Sequence, residues 1–124
     1  MNMTKEEQLK LHDALSKIAE FIDVNIIPQL CGTQVTVDFG EVQTYCSAPY
    51  REKEFHLTVT PRGCSLRTGG LGGLALVPTD GCFKFYEIKV GLALLKEWPQ
   101  VKYELVEHVN SIKKAKALLD TFEV

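Results

Sequence analysis

The stretch Phe55-His56-Leu57-Thr58-Val59-Thr60-Pro61-Arg62-Gly63-Cys64-Ser65-Leu66-Arg67-Thr68 decides the fold. Phe55, Leu57 and Val59 alternate with His56, Thr58 and Thr60, the period-2 pattern of a half-buried strand. Thr60-Pro61-Arg62-Gly63 follows with proline second and glycine fourth, the order a type I turn prefers. Cys64–Thr68 then returns as the partner strand. Cys64, Leu66 and Thr68 share one of its faces, and Ser65 and Arg67 share the other.

Working outward toward the N-terminus, Val35, Val37 and Phe39 alternate with Gln34, Thr36 and Asp38. Gly40-Glu41 reads as a reversal into a further strand, Val42–Cys46. Ser47–Glu54, with Pro49 and several charges, reads as a loop. Thr4-Lys5-Glu6-Glu7 is a capping box. Leu11, Ala14, Leu15, Ile18, Phe21, Ile22 and Ile26 follow at spacings of three and four, one face of a helix that Pro28 is expected to end. Core packing against a sheet and a share in a subunit interface are the two readings of that broad stripe.

Toward the C-terminus, Leu74-Ala75-Leu76-Val77-Pro78 is an apolar run suited to a strand covered on both faces. Thr79-Asp80-Gly81 is a turn signal, and Cys82–Tyr86 reads as the last strand. Ile88, Leu92 and Leu95, with Leu94 and Trp98 alongside, predict a helix that stops before Pro99. Val101, Leu105, Val109, Ile112, Ala115, Leu119 and Phe122 predict more helix, with Asn110-Ser111 as a kink or restart. The expected fold is one α+β domain spanning residues 1–124: an N-terminal helix, an antiparallel sheet of about five strands, and one or two C-terminal helices. Oligomerisation is expected to cover the remaining apolar surface.

Hydrophobic residues make up 45% and charged residues 24% of 124, the balance of a soluble globular domain. A net charge of -2 argues against a general nucleic-acid surface, which needs a basic excess. No apolar run approaches the roughly 20 residues of a membrane span, and Met1–Glu7 has no apolar signal core, so a cytoplasmic location is expected. Cys31, Cys46, Cys64 and Cys82 lack any C-x-x-C pair, and His12, His56 and His108 do not complete a ligand spacing. Free, partly buried thiols are expected, with no metal and no cofactor.

The candidate ligand-binding set is Arg62, Arg67, Thr68, Gly69, Gly70, Phe83 and Tyr86. Arginine presents a fixed fork of donors to phosphate or carboxylate, and glycine lets backbone approach a ligand closely. Gly69, Gly70, Gly72 and Gly73 match neither the P-loop nor the dinucleotide fingerprint. They read either as a flexible hairpin loop or as a backbone N–H cradle for an anion, assisted by Arg62 or Arg67. Arg67, at a strand end beside Gly69-Gly70, is the better placed. Phe83 and Phe85 share a face opposite Lys84 and Tyr86. Either these are core aromatics, or one stacks on a base while an arginine holds its phosphate. Lys113, Lys114 and Lys116 form a small basic patch, either solvated or gathered by symmetry around a polyanion.

Catalytic signals are incomplete. His56-Leu57-Thr58 matches the H-x-T element of two-histidine phosphoesterases, whose chemistry needs one histidine as acid and another as base. His12-Asp13-Ala14 and His108-Val109-Asn110 lack the hydroxyl. Cys46 or Cys64 with His56 has the residue types of a nucleophile and base, but no spacing brings them together.

The order of elements and the chain length resemble the phage-encoded Thoeris anti-defence sponges of the first described type. The resemblance spans nearly the whole chain, with Arg62, Arg67, the glycines at 69, 70, 72 and 73, and Phe83 as its ligand groups. It implies an oligomer that binds cyclic ADP-ribose-type signals without cleaving them, with cyclic oligonucleotides taken up at separate sites in related members. The expectation is a non-enzyme: a phage counter-defence protein that sequesters a cyclic nucleotide-type immune signal in the host cytosol. Its expected partners are a small anionic nucleotide and further copies of the chain, with no long nucleic acid and no membrane. The other readings are a small inhibitor acting through a surface on a host enzyme, and a nucleotide phosphoesterase using His56.

Overall fold

Thr4 and Glu7 cap each other's backbone: the Glu7 N–H donates to Thr4 Oγ1 and the Thr4 N–H to Glu7 Oε1, both at 3.2 Å. From this cap runs helix α1, Lys5–Phe21. The computed structural model describes residues 3–44, 51–68, 71–79 and 82–123. Within it α1 buries Leu11, Leu15 and Ile18, and the helical path continues as a π turn, Ile22–Ile26, and a 3-10 turn, Ile27–Gln29. Ile22, Ile26 and Leu30 are all buried. Spaced four apart, they would drift about 40° per step on a uniform α-helix, and the wider π turn reduces that drift.

Four strands follow: β1 Val35–Thr44, β2 Arg51–Thr60, β3 Gly63–Thr68 and β4 Leu71–Leu74, hydrogen-bonded antiparallel in the order β1-β2-β3-β4. The β2–β3 hairpin closes as expected, with Thr60 opposite Gly63 and Leu57 opposite Leu66. Helix α2, Phe85–Thr121, completes the fold. The inward residues of the strands (Val37, Phe39, Phe55, Leu57, Val59 and Leu66) and the buried stripes of α1 and α2 form one core. Gly91 of α2 lets the helices approach, since a Cβ there would sit 3.2 Å from Leu15 Cδ1. The α+β class and its order of elements are therefore as expected. No helix among the described residues is long and apolar enough to cross a membrane.

Several elements differ from the expectation, each for a local reason. Gly40-Glu41 does not reverse the chain: β1 runs through as a single strand, with a bulge between Phe39 and Val42 and Gly40 at φ +93°. Tyr45–Tyr50 lie outside the described residues, but Arg51–Glu54 belong to β2 rather than to a loop. The glycine-rich stretch contains β4, and the apolar run after Leu74 forms no strand, although Leu76 is buried. Cys82–Tyr86 is not a fifth strand either. Residues 82–84 lead into α2, where the Lys84 N–H donates to Glu87 Oε1 at 2.9 Å. Pro99 and Asn110-Ser111 both lie inside one continuous helix.

Candidate functional site

The helices occupy one face of the sheet and leave the other face polar. Strand register places its side chains in rows. Thr36, Thr58 and Ser65 stand side by side across β1, β2 and β3, and Asp38, His56 and Arg67 form the next row. Directly opposed residues of an antiparallel pair bring their Cβ atoms to about 5 Å. Accordingly Thr36 Oγ1 lies 3.2 Å from Thr58 Oγ1. His56 Nδ1 lies 2.6 Å from Asp38 Oδ1, and its Nε2 lies 3.3 Å from Glu52 Oε1. Asp38 and Glu52 are thus engaged by the imidazole. Arg67 is exposed next to His56 and forms no ion pair among the described residues. A fork of donors on an open face, with the neighbouring carboxylates already occupied, suits an incoming anion.

The remaining expected site residues are not gathered around Arg67. Arg62 is exposed in the hairpin turn, where its N–H donates to Thr60 Oγ1 at 3.2 Å. Five residues of extended chain separate its backbone from that of Arg67 by roughly 16 Å, so the two arginines stand at opposite ends of β3. Thr68 points inward, 6% exposed, and its Oγ1 has no hydrogen-bond partner among the described residues. Strand alternation turns it away from Arg67's face. Gly69 and Gly70 lie outside the described residues. Phe83 packs against the core and meets His12 of α1 edge-on, at 6.4 Å between ring centroids, so it lies on the helical side of the sheet. Tyr86 is 43% exposed on the first turn of α2. Among the described residues neither Arg62 nor Arg67 lies over an aromatic ring.

The histidines do not form an acid–base pair. His108 Nε2 lies 3.0 Å from Thr33 Oγ1, and His12 faces Phe83, while His56 stands on the open face. Cys64 is inward-leaning, and burial first, then the nearby Asp23 carboxylate, push its thiol pKa up. A raised thiol is a poor nucleophile near neutral pH. No group of three or more His, Cys, Asp or Glu side chains that could hold a metal occurs among the described residues.

A second concave feature was not anticipated from the sequence. At the Gly40 bulge a cleft of about 470 Å³ opens between the sheet edge and α2, walled by Glu41, Glu54, Phe55, Lys89, Lys96 and Glu97. The Gly40 N–H donates to Glu97 Oε2 at 2.6 Å, and Lys89 Nζ lies 2.7 Å from Glu54 Oε1. The hydrogen bond to Glu54 holds the Lys89 ammonium pKa above its usual range. Within this cleft Lys89 is paired with Glu54, and Glu97 reaches out to Lys53 at 3.8 Å. The only sequence signal for it is a glycine interrupting an alternating strand, which also marks bulges.

Searches against protein-family models, curated proteins and solved structures returned no significant match.

Proposed function

We propose that this chain binds a small anionic ligand of the nucleotide class and returns it unchanged, with Arg67 as the charge-bearing contact. The observation that carries this reading is the exposed Arg67 guanidinium beside His56, whose ring nitrogens already face Asp38 and Glu52. Thr58 and Ser65, on the same face, add hydroxyl donors in the adjoining row. Holding an anion needs donors of fixed geometry and no acid–base pair. The biological role in view is the one implied by the resemblance to the Thoeris anti-defence sponges: sequestration of a cyclic nucleotide-type signal.

Calorimetry against cyclic ADP-ribose-type and cyclic oligonucleotide ligands tests the proposal. Tight binding of at least one is expected, with Arg67→Ala weakening it by about tenfold or more, as loss of a charge-assisted contact does. Chromatography of the ligand after incubation and denaturation should return it intact. Failure of every ligand to bind, unchanged affinity of the Arg67→Ala variant, or conversion of the ligand would each overturn the reading.

A further inference from the structure

The core contacts of helix α2 end before the helix does, although Lys116 still reaches Cys31. The last buried residue of α2 is Val109, yet the helix continues to Thr121, about 18 Å further at 1.5 Å per residue. Every residue from Lys113 to Glu123 is exposed. Large apolar side chains are nevertheless concentrated there: Leu118 is 68%, Leu119 74% and Phe122 68% exposed. With Ala115 they recur at spacings of three and four, so they lie along one side of the helix end. Leu9, Val24, Val42, Phe85 and Tyr103 are also exposed but are scattered over other parts of the chain, whereas a contiguous apolar strip is an interaction signal.

Charge identifies the occupant. The first half of this segment carries Lys113, Lys114 and Lys116, and the second half carries Asp120 and Glu123. A second copy laid alongside in the same direction sets lysines beside lysines and acids beside acids. Laid antiparallel, it sets Lys114 and Lys116, which flank the strip, toward the other copy's Glu123, while Lys113 and Asp120 stay on the outer side. The geometry points to a homodimer formed by antiparallel pairing of these helix ends, with Ala115, Leu118, Leu119 and Phe122 in the seam. This inference stands independently of the ligand proposed above. The short seam makes the interface small, so a dissociation constant on the order of micromolar is expected.

Sedimentation velocity of the full chain from 1 to about 200 µM tests it directly, over the range such an interface spans. A monomer–dimer equilibrium is expected that weakens between low and high salt, because unlike charges are being screened. Leu118→Asp and, separately, Phe122→Asp should leave the circular dichroism and the thermal midpoint, both read at concentrations where the chain is monomeric, unchanged, since both sites are exposed. Each should raise the dissociation constant at least tenfold. A wild-type chain that stays monomeric throughout overturns the inference, and so does a dimer indifferent to both variants. A dimer that strengthens with salt overturns the antiparallel arrangement.

Discussion

Gly40 shows how one residue redirects an element. Its φ of +93° is costly for any side-chain-bearing residue, and a Cβ there would lie 2.7 Å from the Phe55 ring. Gly40→Ala is therefore expected to destabilise the fold by about 1–3 kcal/mol, read from urea denaturation. An unchanged midpoint would mean that the bulge is not held as described. Cys64 makes a second prediction. Its folded-state thiol pKa is raised, chiefly by burial, while Cys31 is exposed beside the Lys116 ammonium. At mildly alkaline pH, iodoacetamide should label Cys31 well before Cys64, as scored by peptide mass spectrometry. Equal labelling rates would contradict the burial. The raised pKa also signs a pH dependence. The unfolded chain ionises this thiol first, so the contribution is full below the ordinary thiol pKa and is lost as pH rises through the folded value. Arg67's outward orientation was legible from alternation alone. That it forms no ion pair among the described residues was not, because that depends on His56 engaging Asp38 and Glu52 from other positions in the sheet.

At the scale of elements, α2 overrides its own proline. Pro99 removes one i→i−4 hydrogen bond and is exposed within the helix. Leu94 on one side and Val101 and Leu105 on the other are buried in the same core. Burying each such side chain stabilises by roughly 1.5–3 kcal/mol, enough together to outweigh one lost bond and its ring clash. Pro99→Ala should therefore stabilise the protein by about 1–3 kcal/mol, visible as a raised thermal midpoint. A lowered midpoint would show that the proline relieves strain rather than creating it. The start of β2 was hidden for a different reason. A Glu-Lys-Glu run resembles a solvated loop, but Glu52 meets His56, Lys53 meets Glu97 and Glu54 meets Lys89. Those partners come from β2 four residues on and from α2. A sequence window centred on the run cannot see the two that α2 supplies.

At the scale of the whole molecule, the decisive asymmetry among the described residues is a sheet with one face packed under the helices and the other polar. Adjacent residues of β2 report it: Leu57 is fully buried, while Thr58 belongs to the polar face. Leu57→Ala should cost about 2–5 kcal/mol through lost burial and a cavity. Thr58→Ala, beside it, should cost less than about 1 kcal/mol. Comparable losses in the two urea titrations would mean that the second face is also covered in solution.

Local pattern by itself determined the α+β class, the antiparallel β2–β3 hairpin, the capped first helix with its buried Leu11, Leu15 and Ile18, and the buried Val101, Leu105 and Val109 of α2. Each of those rests on contacts between residues near in sequence or on a pattern repeated along one segment. The same α2 stripe continued through Ala115, Leu119 and Phe122 is exposed, because none of the described residues packs over it. Only the tertiary structure decided that Gly40 bulges instead of turning, that α2 runs unbroken through Pro99, and that Phe83 lies on the helical side of the sheet from Arg67. In each case the deciding energy comes from packing or pairing between segments far apart in the chain, which local propensity does not contain.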